Sequence, residues 1–298
     1  MSVYRAGSRA LQDRLGVREI ADHVGRSVGP GIRTVAAAFL ELQPLLLLGA
    51  ADPETGAVWA SPLAGPAGFV RATGPHRMSV AGGVLPTDPL ATALATDGVP
   101  VGTLALDPRT RRRMRLNGRL RPTEHGFAVE AEQVFSNCPK YIRRRRTCTR
   151  VDRMPGTPVT STELTGQERA LVTSADTFFL ATVHAHGADI SHRGGDPGFL
   201  RADSPRELSW RDYPGNSMFL TLGNLAADPR AGLLVLDWRT GTTLQLTGEA
   251  RTEFGPGGER TVRFTVTRAV RTPSALPLRW SPPLSPVKDP GADPGTAR

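Results

Sequence analysis

The chain has 298 residues, enough for two domains of ordinary size with a core in each. Its 37 basic and 28 acidic side chains leave a formal charge of +9, carried almost wholly by arginine. That balance favours phosphate-bearing partners in general, but with abundant Ala, Gly and Pro the preference for arginine is read first as the mark of a GC-rich genome. No apolar run approaches the ~20 residues of a membrane helix, Met1–Arg5 lacks the apolar core of a signal peptide, and two cysteines exclude a disulfide framework. A soluble, cytoplasmic protein is expected.

Residues 1–43 read as helical. Val17, Ile20, Ala21 and Val24 fall at i, i+3, i+4 and i+7, and Val35, Ala38, Phe39 and Leu42 repeat that spacing after Pro30-Gly31. Pro44 ends this region, and residues 44–150 form a first β unit. Leu45-Leu-Leu-Leu48 begins a buried strand, Asp52-Pro-Glu-Thr-Gly56 turns the chain, and Ala57–Ser61 returns as its hairpin partner. Residues 151–176 read as a Pro/Thr/Ser-rich linker followed by a short helix, which Thr165 and Glu168 open at capping-box spacing.

A second β unit, 177–272, starts with Phe178–Ala185, a run suited to a pleated surface. It continues through Asp189-Ile-Ser-His-Arg-Gly-Gly-Asp-Pro-Gly-Phe199, Leu222-Gly-Asn-Leu225 and Asp228-Pro-Arg230 to the apolar Leu233–Leu236. The strand from Thr243 to Arg251 alternates, with Leu244, Leu246 and Ala250 on one face. The tail, 273–298, is rich in proline. Ala275–Trp280 is expected to dock against a barrel, and the chain beyond Trp280 to be extended or disordered.

The two units repeat each other. Gly68-Phe-Val-Arg-Ala72 matches Gly198-Phe-Leu-Arg-Ala202 at an offset of 130, and 101–121 matches 231–251 at the same offset with nine identities in 21 positions. They have also diverged. Ser191-His-Arg-Gly-Gly-Asp-Pro197 is replaced in the first unit by the uncharged Ala60-Ser-Pro-Leu-Ala-Gly-Pro66, so one dominant site is expected rather than two.

The hairpin, the Arg-Gly-Gly-Asp-Pro-Gly-Phe loop, the Gly-Asn-Leu segment and Asp-Pro-Arg before a buried strand occur here in an order that closely resembles the flavin-binding split barrel of the pyridoxamine 5'-phosphate oxidase-like family. Tandem members of that family carry a similar Asn137-Cys-Pro-Lys-Tyr-Ile142 segment. The resemblance implies a mainly β fold with short helices, a tandem duplicated split barrel of FMN-binding type. Its halves would pair within one chain as single barrels pair in dimers; a further homodimer is compatible with this. It also implies bound FMN and a flavin-dependent oxidoreductase acting on a small molecule that the sequence does not identify. Haem, deazaflavin and a non-catalytic flavin-sensing module are the alternatives within the same fold.

FMN requires donors for its phosphate, a slot for its ring and polar groups at the pyrimidine edge. Arg193 beside Gly194-Gly195 suits a phosphate, because paired glycines let backbone N–H groups approach an anion. Ser191 belongs to the same motif. By resemblance, Thr221 and Asn224 occupy the segment that usually brings a cation to the phosphate. Thr221 replaces that cation, so Lys140 or Arg143 of the first half would supply the charge, with Asn216 and Ser217 assisting. His184, His186 and His192 offer a metal or haem ligand, yet no carboxylate or cysteine completes a ligand spacing, and no metal is expected. Cys138 and Cys148 lack a ligand pattern. Arg111-Arg-Arg-Met-Arg115 has no interleaved aromatic residues, which excludes a nucleic-acid platform. Its arginines are expected to form a solvated face or to contact the other half.

Overall fold

The computed structural model describes residues 3–136 and 139–284; Cys138 and the tail from 285 onward lie outside the described residues. The protein is mainly β. Three short helices come first, α1 (Ala6–Arg14), α2 (Arg18–Gly25) and α3 (Thr34–Glu41). The first β unit contains β1 (Leu45–Ala51), β2 (Val58–Ala64), β3 (Val70–Gly74), β4 (Arg77–Ala81), α4 (Ala91–Ala95), β5 (Pro100–Asp107), β6 (Arg112–Thr123) and β7 (Gly126–Ser136). Next come β8 (Cys148–Arg150), β9 (Val159–Ser161) and α5 (Gly166–Ser174). The second unit contains β10 (Thr177–His184), β11 (Gly187–Gly194), β12 (Leu200–Ala202), β13 (Glu207–Arg211), α6 (Leu220–Ala227), β14 (Arg230–Leu236), β15 (Thr243–Phe254) and β16 (Arg260–Thr272). Strand β17 (Leu278–Trp280) closes the described chain and pairs with β8.

The strands are all antiparallel and follow one plan twice. The first sheet runs β2-β1-β5-β6-β7-β4-β3, and the second runs β11-β10-β14-β15-β16-β13-β12, with β9 added beside β16. Each strand of the first sheet therefore has a counterpart in the second. Each sheet curls around a core of its own: one cluster receives side chains from every strand of the first sheet, and another from every strand of the second except β11. Leu46, Trp59, Val70, Met78, Val101, Leu116 and Val129 share the first core; Phe178, Leu200, Trp210, Val235, Leu246 and Phe264 share the second.

A third core joins the two curled sheets. Successive strand residues point to opposite faces, so Leu46 and Leu48 enter the first barrel while Leu45 and Leu47 turn outward against Phe179, Ala181, Ile190 and Leu234 of the second. That is why β1 carries four leucines in succession: both of its faces are buried. Leu276, Leu278 and Trp280 seal the same layer. Glycines bring the strands together there. A Cβ at Gly102 would stand 2.6 Å from the Cα of Asp189, and one at Gly232 would stand 2.7 Å from the Cα of Trp59. Gly102→Val is thus expected to destabilise the protein by about 1–3 kcal/mol or more through overpacking; a urea denaturation midpoint equal to that of the parent would refute this.

The N-terminal helices depart from the expected faces. In α3 the packed residues are Leu40, Ala36 and Phe39, whereas Val35 is 79% exposed and Leu42 66%. In α2, Ala21 is buried but Ile20 is exposed. Eight-residue helices with apolar side chains on several faces do not determine from spacing alone which face packs. The capping box of α5 forms, with the Thr165 hydroxyl accepting from the Glu168 N–H and the Glu168 carboxylate from the Thr165 N–H. No helix among the described residues is long and apolar enough to cross a membrane.

Candidate functional site

Between the two barrels lies a cavity of about 110 Å³. Its wall is composite. From the first half come Arg113 and Arg115 of β6 and the following Lys140 and Tyr141. From the second come His192, Arg193 and Gly194 at the end of β11, Trp210 of β13, and the segment from Asp212 into the first turn of α6. Arg113 and Arg115 stand two apart on a strand and so face the same way.

Donors dominate this wall. Arg113 Nη1 donates to His192 Nδ1 at 2.9 Å. An arginine only donates, so Nδ1 accepts and the ring proton sits on Nε2. Burial, reinforced by the charges of Arg113, Arg193 and Arg115, holds the His192 pKa well below its ordinary value, so the imidazole is neutral. Four lining side chains then carry a buried N–H with no acceptor among the described residues: Arg115 Nε, His192 Nε2, Arg193 Nε and Trp210 Nε1. Buried donors are normally paired, and these four belong to residues that wall one cavity, a donor-rich surrounding that favours an anion or another strong acceptor. The carboxylate in the wall, Asp212, is already engaged by Arg260 Nε at 3.0 Å and Arg193 Nη2 at 3.7 Å. Burial lowers the pKa of Arg193 and Asp212 opposes that shift.

The backbone around the cavity is strained. Tyr141, Ser217 and Phe219 have φ of 67°, 60° and 52°, and all three line it. Each such residue costs of order 1–3 kcal/mol and persists only where its surroundings impose it. Tyr141 stacks on Tyr213 across the two halves, centroids 5.2 Å apart, and its hydroxyl donates to the Pro214 carbonyl at 3.0 Å. Gly194 permits this approach, since a Cβ there would collide with the Tyr141 carbonyl.

Of the residues expected from sequence, Lys140, Arg193, Gly194, Asn216, Ser217 and Thr221 meet at this cavity. Ser191, Gly195 and Asn224 sit behind it. The Ser191 hydroxyl donates to the Leu180 carbonyl at 3.3 Å, the Gly195 N–H donates to the Asp176 carbonyl, and Asn224 Nδ2 donates to Thr182 Oγ1 at 3.0 Å. Arg143 is committed elsewhere: it donates to the Gly195 carbonyl and pairs with Asp196. The first-half cations at the cavity are instead Arg113, Arg115 and Lys140. Sequence reasoning left Arg113 and Arg115 between a solvated face and a contact with the other half; Arg115 makes that contact, pairing with buried Asp189 at 2.9 Å. His184 and His186 lie at the hairpin end of β10, remote along the strand from His192, which pairs with Phe179. Burial, aided by Arg5, lowers the His184 pKa to about 4. Among the described residues no cluster of three or more His, Cys, Asp or Glu is placed to hold a metal ion.

The equivalent place on the other side of the molecule has different chemistry. Leu46 pairs with Leu63 and Ala105, as Phe178 pairs with Arg193 and Val235, so Leu63 is the counterpart of Arg193 and Pro62 that of His192. By the same register Thr243 and Gln245 replace Arg113 and Arg115. Beside Pro62, Thr243 and Gln245 the space narrows to about 20 Å³, while Pro62, Leu63 and Ala64 also face a space of about 660 Å³ whose far wall carries Arg150 and Arg153. Asp88 fills the space, accepting from Ser61 Oγ at 2.6 Å, the Leu90 N–H at 2.8 Å and Gln245 Nε2 at 3.0 Å. Burial raises its pKa. With Leu63, Thr243 and Gln245 in place of Arg193, Arg113 and Arg115, this place lacks the counterparts of those three cations.

No protein-family model matches the chain, and no curated protein matches it. Among solved structures it is similar to a Lactobacillus delbrueckii protein provisionally assigned as a pyridoxamine 5'-phosphate oxidase, with 10% identity over 37% of this chain and 94% of that one and a TM-score of 0.32. It is also similar to HupZ of Group A Streptococcus (13% identity, 35% of this chain and 89% of that one, TM-score 0.30). A third is the FAD binding protein from Mycobacterium smegmatis (17% identity, 39% of this chain and 98% of that one, TM-score 0.27).

Proposed function

We propose that this chain is a tandem pair of split barrels, 44–150 and 177–272, that binds one FMN in the composite cleft and uses it as a flavin-dependent oxidoreductase on a small molecule. The observation that carries this reading is the set of four acceptor-less buried N–H groups around one cavity. The identical strand order of the two sheets supports the repeat, and the Leu63, Pro62, Thr243 and Gln245 replacements support a single site.

The residues suit the phosphate end of the cofactor. Arg193 and Lys140 supply charge, Arg115 an Nε–H beside its pair with Asp189, His192 and Trp210 neutral donors, and Asn216, Ser217 and Thr221 polar groups at the start of α6, where a helix favours an anion. Gly194 keeps the wall thin. Ser191, Gly195 and Asn224 contribute by fixing β11 and α6 from behind. A volume of about 110 Å³ is well below the ~300 Å³ of a site that encloses a whole ligand, so the enclosed part suits a terminal phosphate and the ring lies outside it. A phosphodiester has to leave such a space in two directions, which favours FMN over FAD or a deazaflavin. Haem is not supported at this cleft, because His192 offers a protonated Nε2 and its Nδ1 lone pair is taken by Arg113. When bound, the flavin supplies one- or two-electron transfer; the chain's part is to hold its phosphate and exclude water from it.

Titration of the purified protein, followed by flavin fluorescence, should reach one FMN per chain. Two equivalent sites would contradict the asymmetry between the grooves. An absence of FMN binding together with tight uptake of haem or deazaflavin would replace this reading with one of the alternatives.

A further inference from the structure

The N-terminal helix α1 precedes the first barrel in sequence but docks on the second, against α6. Two glycines make this possible: a Cβ on Gly7 would collide with the Gly223 carbonyl, and one on Gly223 would stand 2.5 Å from the Ser8 nitrogen. Leu11 enters the second core beside Leu222 and Leu225. Two polar residues of this helix, Ser8 and Gln12, are buried, and both face the strained segment that leads into α6. Gln12 Nε2 donates to the Met218 carbonyl at 3.0 Å, and the Ser8 hydroxyl donates to the Phe219 carbonyl at 3.3 Å. Gln12 is held in turn by Arg9, whose Nη1 donates to Gln12 Oε1 at 3.0 Å. Tyr4 and Ala21 add a small apolar cluster with Met218.

The geometry of the peptide unit gives these two bonds a consequence. In a trans peptide the C=O and the following N–H point in opposite directions. With the carbonyls of Met218 and Phe219 drawn toward α1, the N–H groups of Phe219 and Leu220 turn the other way. Both of these residues line the anion cavity. Ser217 and Phe219 carry left-handed φ in this segment; the Phe219 carbonyl also accepts from the Gly223 N–H of α6 at 2.8 Å, so α1 acts there together with α6, while the Met218 carbonyl is held by Gln12.

We propose that Ser8 and Gln12 are positioning residues for the anion: α1 orients the N–H groups of Phe219 and Leu220 toward the bound phosphate, and ligand binding and docking of α1 stabilise each other. This rests on the FMN reading above for the identity of the ligand, though not for the coupling, which any phosphate in the cavity would engage. Coupling of two binding equilibria is reciprocal, so it has two readouts.

The full-length chain is compared with a Gln12→Met, Ser8→Ala double variant, which keeps the volume of Gln12 and removes both donors. FMN affinity should fall about five- to thirtyfold, the equivalent of two ordinary hydrogen bonds, while riboflavin affinity stays the same. In the parent protein, FMN or inorganic phosphate should slow tryptic cleavage after Arg9 and Arg14; in the variant that protection should shrink. Unchanged FMN affinity in the variant, or an equal loss for riboflavin, would overturn the proposal. The protection arm requires no substitution: if FMN binds the parent protein yet leaves α1 as cleavable as before, the coupling does not exist even if the variant fails to fold. A parent protein that binds neither FMN nor phosphate would remove the functional reading and this proposal together, an outcome distinct from binding without coupling.

Discussion

Arg193→Ala is expected to weaken FMN binding about ten- to a hundredfold, the effect of losing a charge-assisted hydrogen bond worth about 1.5–3 kcal/mol. The guanidinium lines the cavity with its Nε unpartnered. Its contact with Asp212 is long at 3.7 Å, and Asp212 keeps the closer Arg260 when Arg193 is gone. The substitution therefore strands no charge within the fold, and the loss should fall on the ligand. Riboflavin, which has the ring but no phosphate, is the control, and its affinity should hardly change. Lys140→Ala should show the same pattern more weakly, because Lys140 is exposed at the rim and an exposed charge is screened. If Arg193→Ala lowers FMN and riboflavin affinity alike, Arg193 supports the loop and the phosphate is held elsewhere.

Replacing Arg115 should have the largest effect on stability. Arg115 and Asp189 come from different halves, both are nearly fully buried, and their contacts are 2.9 and 3.2 Å; Asn117 Nδ2 adds a third bond to Asp189 at 3.1 Å. Arg115→Met leaves the Asp189 carboxylate in the interface with an amide as its remaining partner. Breaking a buried pair in this way costs about 3–5 kcal/mol, because the surviving charge lacks solvent and counter-charge. Denaturant unfolding measures the loss directly. Adding Asp189→Leu to Arg115→Met should recover much of it, since both charges are then absent. A single substitution that costs under about 1 kcal/mol would show that the interface rearranges or admits water around Asp189.

The run Leu45–Leu48 and the alternating strand from Thr243 made the β elements readable from sequence, because burial on two faces and burial on one face leave different patterns. The place of Arg193 at the cavity was legible for a local reason: two glycines follow it. The other half of the site was not. Alternation places Arg113 and Arg115 on one face of β6, but it carries no information about what that face meets. The sequence offers His192 as a metal or haem ligand. Its actual behaviour depends on Arg113, 79 positions earlier, which fixes the tautomer and leaves a donor in the cavity. Ser8 and Gln12 lay in a helix whose sequence gives no sign that it crosses to the opposite barrel.

The shared layer between the barrels also bears on how the chain is made. Leu45, Leu47, Leu104 and Leu106 have only first-half neighbours such as Val58, Ala60 and Ile142 until Phe179, Ile190, Leu234 and Leu236 exist. About 130 residues separate Leu106 from Leu236, and at roughly 5–20 residues per second their synthesis takes on the order of 7–26 s. For that interval a nascent first barrel presents a greasy, strand-lined flank to every neighbouring polypeptide. A ribosome-bound chaperone, or slow translation that keeps nascent chains apart, is the natural safeguard. Arresting translation between the halves should consequently give an aggregation-prone intermediate that the finished chain never resembles.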